Sequence, residues 1–335
     1  VAGGVWYPDS AFKTAQAIQD INQEGLPLFI VANWRGFSGG ARDMFREVLK
    51  FGAYIVDQLV AFQQPVFVYI PAFAELRGGA FVVVDPHINE VMEMYADSRA
   101  RAGVLEPAGV VSIKFREGDR RKAMRRNDAL LQQLAERDGE NRQREKDERD
   151  AVESRQRELE TAYRQVAEVF ADLHDGAERM KAVGVIRQIV DVEQSRRFFY
   201  WRLRRRLLER AIEKEIMEAS GMDRRTAHAT LLKWFEQRST AQTVEETADQ
   251  RMLEWMTQER ESFIASQIDT LNRASIREEV RRLGAKRPDA VVEGVHAMLD
   301  ALSPEDKARV LASLTARHTD RKSTRLNSSH SRISY

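Results

Sequence analysis

The chain has 335 residues, 43% hydrophobic and 31% charged, with 53 Lys and Arg against 52 Asp and Glu for a formal net charge of +1. That balance argues against a dedicated nucleic-acid binder, and no run of 18 apolar residues is present to cross a membrane. The lack of cysteine excludes disulfides, thiolate catalysis and Cys-ligated zinc.

The length suits about two domains at ~100–200 residues each. Residues 1–110 hold 8 Lys and Arg, 12 Asp and Glu, and most of the Gly and Pro, whereas the remainder reads as almost all helix. Pro8-Asp9-Ser10 is a helix start, followed by Phe12, Ala15, Ile18 and Ile21 at helical spacing. Leu26–Trp34 (LPLFIVANW) is an apolar run fit for a strand buried on both faces. The Gly-rich turn Arg35–Gly40 (RGFSGG) leads into a helix from about Ala41 to Phe62, with Met44, Phe45, Val48, Leu49, Ile55, Val56 and Leu59 on one face. Pro65–Pro71 (PVFVYIP) and Ala80–Asp85 (AFVVVD) read as two more strands, flanking the loop Glu75–Gly79 (ELRGG). Strand, crossover helix and strand in parallel is the expected arrangement.

Glu136–Glu160 has 17 charged residues in 25, which predicts a solvated helix or a helical hairpin. Tyr163–Leu173 returns to amphipathic helix. Arg196–Leu208 mixes Phe198, Phe199, Tyr200 and Trp201 with Arg202, Arg204, Arg205 and Arg206; a packing helix with arginines over aromatic faces is the favoured reading, and nucleic-acid binding the other. The segment Arg321–Tyr335 is Ser- and Arg-rich without hydrophobic periodicity and resembles a translated adaptor, so it is set apart from the fold. The chain begins at Val1 in what reads as the middle of a domain, so a piece of a longer protein is expected.

Three motifs offer chemistry. Asn33–Gly40 (NWRGFSGG) places glycines where a strand ends and a helix begins, so backbone N–H groups of Gly36, Gly39 and Gly40 are available to an oxygen that becomes anionic. Arg35 adds a guanidinium fork that matches a carboxylate; a tight turn whose arginine pairs with a surface acid is the alternative. In ELRGG, Gly78 and Gly79 form a second donor site or, alternatively, a bulge. In Ile113–Arg116 (IKFR), Lys114 and Arg116 share a face of an extended segment and suit phosphates, unless they are a solvated edge. The histidines show no metal spacing, so no metal is expected, and His174 reads as hydrogen-bonded at a helix end.

GGVWYPDSAFKTAQAI (Gly3–Ile18), NWRGFSGG, ELRGG, MEMYAD (Met92–Asp97), RAGVLEP (Arg101–Pro107), IKFR, ADLHD (Ala171–Asp175) and FFYWRLRR (Phe198–Arg205) occur in this order. Together they resemble the C-terminal half of the carboxyltransferase region of eukaryotic-type, multidomain acetyl-CoA carboxylases, over about residues 1–320. The resemblance implies an α/β, crotonase-like (ClpP/crotonase) superhelix of ββα units at residues 1–120 and a helical extension at 121–320, which leaves 321–335 as the adaptor-like, non-native tail. It implies transfer of a carboxyl group from N1-carboxybiotin to acetyl-CoA, giving malonyl-CoA, with charge developing on the biotin ureido oxygen and the thioester oxygen. By the same resemblance Arg35 recognises the transferred carboxylate, and Gly52 lies in the biotin-side wall. Glu106 helps shape a site shared between two subunits, Lys114 and Arg116 bind coenzyme A phosphates, and Val48 lies on an inhibitor-binding wall. The implied partner is the N-terminal carboxyltransferase half of a second protomer in a head-to-tail homodimer. No Met-Lys-Met attachment motif is present (Met180-Lys181 is followed by Ala182), so biotin would arrive on another domain. Cytosol is expected, with plastid as the alternative. Carboxylation of another thioester such as propionyl-CoA, and a non-catalytic helical scaffold, are the competing readings.

Overall fold

The computed structural model describes residues 4–136, 142–238 and 247–313. The segment 321–335, the first residues of the GGVWYPD motif and part of the charged stretch 136–160 lie outside or partly outside these residues. In chain order the elements are α1 (Pro8–Gln23), β1 (Leu28–Val31), α2 (Ala41–Phe45), α3 (Val48–Val60), β2 (Val66–Ile70), β3 (Glu75–Arg77), α4 (Gly78–Val83), β4 (Met92–Ala96) and β5 (Arg101–Gly103). There follow α5 (Pro107–Lys114), α6 (Glu117–Asn127), α7 (Ala129–Glu136), α8 (Arg142–Leu173), α9 (Ala177–Ala182), β6 (Gln188–Ile189) and α10 (Val192–Ser220). The chain continues with α11 (Arg224–Arg238), α12 (Ala248–Gln258), α13 (Ala265–Lys286) and α14 (Pro288–Ala301). No described helix is long and apolar enough to cross a membrane.

Strands β1, β2, β4 and β6 form a parallel sheet in that order, and β3 pairs in parallel with β5. The expected strand–helix–strand crossover is therefore present, with α1 and α3 packed against each other beside the sheet. β2 and β4 are buried on both faces, as strands inside a covered parallel sheet should be. Ile18, Ile55, Leu59, Val66, Val68, Ile70 and Met94 centre the core.

Four local expectations are corrected. β1 is an edge strand and is only partly covered, with Phe29 41% and Val31 60% exposed. The helix expected over 41–62 is broken between α2 and α3 at Glu47, which takes φ 61°, and Met44, Phe45 and Leu49 are left exposed. Ala80–Val83, read as strand, lies in helix α4, while Glu75–Arg77, read as loop, is the strand β3. Gly78 at φ +58° turns the chain between them, and Ala80 and Val83 bury at helical spacing. Lastly, Lys114 ends α5 and Arg116 caps α6, so IKFR is a helix–helix corner rather than an extended segment.

Two compact units emerge. One comprises Val1–Arg210 with Gln242–Glu254, and the other Ala211–Ala241 with Trp255–Tyr335. The first runs well past residue 120, because α5 and α6 pack on the long charged helix α8 and Arg120 pairs with Glu160. In this unit the aromatic-and-arginine segment acts as a packing helix. Phe199 in α10 is 8% exposed and meets Phe67, Tyr69 and Tyr95 edge-on or tilted, at 5.3–6.1 Å. In the second unit Leu231 and Trp234 of α11 are buried, Trp234 meets Phe263 at 6.4 Å, and α13 packs on α14.

Candidate functional site

The site is assembled by three chain segments lying side by side. Beyond β1, residues 33–38 run extended between the segment Gly4–Trp6 and strand β3. On one side, the Arg35 amide donates to the Gly4 carbonyl (2.6 Å), Trp6 to Gly36 (2.9 Å) and Ser38 to Trp6 (2.8 Å). On the other side, the Glu75 amide donates to the Asn33 side-chain oxygen (3.1 Å) and the Arg77 amide to the Trp34 carbonyl (2.8 Å). Trp6 stacks on Trp34 at 4.8 Å, closing the apolar floor. NWRGFSGG and ELRGG, which begin 42 residues apart, thus meet backbone to backbone.

Their glycines meet as well. Gly36 takes φ +113° and Gly78 φ +58°. A Cβ on Gly36 would lie 3.5 Å from the Gly79 amide nitrogen, and one on Gly78 3.4 Å from the Arg35 carbonyl. A Cβ would only make ordinary contact there, so it is the positive φ at both positions that favours glycine. Gly78 and Gly79 open α4, where first-turn N–H groups have no intrahelical acceptor. Gly39 and Gly40 do not join this junction: both are exposed, and Gly40 caps α2 while the Ser38 hydroxyl bonds Asp43.

Gly52 and Gly79 share a packing task. A Cβ on either would fall 2.8 Å from ring atoms of Phe37. The Phe37 ring is held from both edges, and Gly52, inside α3, is fully covered. Val48, in the first turn of the same helix, is also 0% exposed. Gly52→Ala gains ~0.5–1 kcal/mol of helix stability but overpacks a ring that cannot retreat, at ~1–3 kcal/mol. The expected result is a lower melting temperature. In a Phe37→Leu background the same change should be neutral or stabilising, and equal losses in both backgrounds would refute the ring contact as the reason for this glycine.

Arg35 sits at the rim with its side chain 58% exposed, 2.9 Å from Glu75. Behind Glu75 lies Arg77, only 2% exposed, whose Nη1 donates to Asp175 and, at 3.4 Å, to the Leu105 carbonyl. The ADLHD corner fastens this row in place. Asp172 accepts from Arg101 at 3.0 Å, the Ala102 amide donates to the Asp175 carbonyl, and His174 bonds the Phe170 carbonyl at 2.8 Å, as expected for a helix-end histidine. Gly103 faces Arg77 because a Cβ there would stand 2.9 Å from Asp175 and 3.3 Å from Arg77. Glu75, Arg77 and Asp175 were within quoted motifs but not singled out. Their signal was charge inside otherwise apolar or glycine-rich motifs, but which acid meets which arginine depends on pairings between β3, β5 and the α8–α9 corner.

Glu106 precedes α5, exposed and without a side-chain partner among the described residues. It is two residues from Val104, whose carbonyl borders Gly78. Lys114, at the other end of α5, and Arg116 are exposed. Eight residues of helix carry them ~12 Å from the glycine junction end.

The carboxyl transferase domain family matches residues 1–207. The acetyl-CoA carboxylase of Schizosaccharomyces pombe is 44% identical over 321 residues, 94% of this chain, and that of Saccharomyces cerevisiae 42% over 319 residues, 93% of this chain. Acetyl-CoA carboxylase 1 of Oryza sativa subsp. japonica is 43% identical over 326 residues, 93% of this chain. The chain spans 14% of the length of each of these relatives. Among solved structures, the geranyl-CoA carboxylase β subunit of P. aeruginosa aligns with TM-score 0.42 at 18% identity, over 60% of this chain and 32% of that one.

Proposed function

Because the chain belongs to the carboxyl transferase domain family, we propose that it is the C-terminal half of the carboxyltransferase of an acetyl-CoA carboxylase, carboxylating acetyl-CoA to malonyl-CoA. The observation behind the reading is the junction of RGFSGG with ELRGG, where Gly36 and Gly78, both at positive φ, bring two backbones into contact beside an exposed arginine. The parallel strands joined through helices also suit the crotonase-like expectation.

Biotin, carried in on another domain, supplies the carboxyl group. Its ureido oxygen and the thioester oxygen need N–H donors where charge develops, and the peptide groups of Gly36, Gly78 and Gly79 fit that need. Arg35 orients the carboxylate being transferred through two parallel N–H donors. Lys114 and Arg116, displaced along α5, suit the phosphates of an extended coenzyme A. Glu106 faces the N-terminal half of a second, head-to-tail protomer.

The test is complementation. The chain alone is expected to be inactive, and mixing it with the N-terminal carboxyltransferase half should give malonyl-CoA-dependent carboxylation of free biotin. In that assay Lys114→Ala and Arg116→Ala should each raise KM for malonyl-CoA about threefold to tenfold with kcat unchanged, the mark of uniform binding. No carboxylation from the assembled halves would overturn the reading.

A further inference from the structure

The geometry points to Glu75 as a resident carboxylate that holds Arg35 until a carboxylated substrate arrives, and to Arg77 as the partner that receives Glu75 when it lets go. The inference rests on the reading of Arg35 as the carboxylate-binding residue.

Glu75 lies between two guanidinium groups. Its Oε2 is 2.9 Å from Arg35 Nη2, and its Oε1 is 4.0 Å from Arg77 Nη2. The first contact is a formed ion pair on a side chain 58% exposed to solvent. The second is one small displacement short of a hydrogen bond.

Arg77 is built to want that bond. It is 2% exposed, and its Nε and Nη2 have no hydrogen-bond partner. Its charge is neutralised by Asp175, but that pairing occupies Nη1 alone. Buried N–H groups left without acceptors are costly, and native structures rarely keep them without reason. A carboxylate 4.0 Å away that can close the gap supplies the reason.

The exchange conserves pairings. In the ligand-free state Glu75 satisfies Arg35, and Arg77 Nη2 is unmet. When a substrate carboxylate takes Arg35, Glu75 swings to Arg77, whose Nη2 donates to it while Nη1 keeps Asp175, so the substrate, Glu75 and Asp175 carboxylates each hold a guanidinium. A thioester without a carboxylate has nothing to offer Arg35, so Glu75 stays. Glu75 and Arg77 are thus positioning residues that make Arg35 answer to the carboxylate. The backbone anchors of β3, Glu75 amide to Asn33 and Arg77 amide to Trp34, keep the pivot fixed while the side chain moves.

The test uses the assembled carboxyltransferase and equilibrium binding of malonyl-CoA, which carries a carboxylate, against acetyl-CoA, which does not. Glu75→Gln removes the competitor and should tighten malonyl-CoA about threefold to fivefold, the scale of a solvent-exposed ion pair, with acetyl-CoA unchanged. Arg77→Lys keeps a cation on Asp175 but gives up the second prong, so it should weaken malonyl-CoA by a similar factor and again spare acetyl-CoA. In the Glu75→Gln background Arg77→Lys should have no effect, which a merely structural role for Arg77 would not produce. Circular dichroism of each variant checks the fold; loss of fold in Arg77→Lys moves the cycle to Arg77→Gln. Equal shifts for both ligands, or an Arg77→Lys loss that persists without Glu75, would overturn the exchange while leaving the carboxyltransferase reading intact. If instead Arg35→Ala leaves malonyl-CoA binding untouched, the underlying reading of Arg35 fails and the exchange fails with it.

Discussion

Arg35→Ala is expected to slow carboxyl transfer by the assembled halves about 30-fold to 1,000-fold, equivalent to ~2–4 kcal/mol of barrier. The argument begins with position. Arg35 leaves the sheet edge between two backbone clamps, Gly4 on one side and Glu75–Arg77 on the other, so its Cα is fixed while its side chain stays in solvent. It stands next to the Gly36–Gly78 contact, where two backbones lie against each other. On the proposed reading, a carboxylate held by Arg35 is held beside the glycine peptides offered as oxyanion donors. An interaction that strengthens as charge develops lowers kcat when it is removed, whereas one made equally to substrate raises KM alone. The expected signature is thus a fall in kcat as well as in kcat/KM, with acetyl-CoA binding little changed. Arg35→Lys should recover only part of the rate, because an ammonium cannot supply two parallel donors to one carboxylate. A variant with wild-type kcat would remove Arg35 from the reaction.

Much of this site was legible because its parts are local. Glycines at 36, 78 and 79 marked places where backbone must come close, and the structure puts them against one another. The parallel crossover was legible from two apolar runs separated by one amphipathic helix. What failed depended on neighbours distant in sequence. Phe29 and Val31 are as apolar as Phe67 and Val68, yet nothing in LPLFIVANW says that the strand lies at the sheet edge with these side chains left partly exposed. Val82, Val83 and Val84 favour a strand by their branching, but the preceding residues pair with β5, Gly78 turns the chain, and packing at Ala80 and Val83 selects helix. Gly52 was noticed by likeness alone, and its physical cause, the Phe37 ring, comes from a residue 15 positions earlier in another element. The row Arg35–Glu75–Arg77–Asp175 was the least legible, since it joins four places along 141 residues through contacts made only in the fold.

Arg202→Met should destabilise the first unit by about 3–5 kcal/mol, the usual cost of stranding a buried charge. Glu93, the second residue of β4, is 1% exposed, and its carboxylate takes a two-pronged bond from Arg202 at 2.9 and 2.7 Å and a third bond from the Tyr95 hydroxyl at 2.7 Å. Arg202 also donates to Asp249 at 2.8 Å. The segment that reads as a basic, aromatic stripe thus secures α10 to the sheet: Phe199 fills the apolar gap and Arg202 satisfies a buried acid. Burial pushes the Glu93 carboxyl up, but the Arg202 bonds and the charges of Arg202, Arg206 and Arg187 outweigh it and hold it down at about 2, against 4.5 for a free glutamate. A carboxyl with a lowered pKa stabilises the fold above its unfolded value, so this contribution is complete above about pH 4.5 and is lost as pH falls toward about 2. At ~1.4 kcal/mol per unit it amounts to about 3 kcal/mol, the same order as the cost of the substitution. Urea denaturation followed by circular dichroism should show a lower midpoint for Arg202→Met at pH 7 and a flatter loss of stability between pH 4.5 and 3. The double variant Glu93→Leu, Arg202→Leu should regain most of the loss, because apolar packing replaces a buried ion pair at little cost. If Arg202→Met unfolds at the wild-type midpoint with the wild-type acid slope, the Glu93 pair is not what fastens α10 to the sheet.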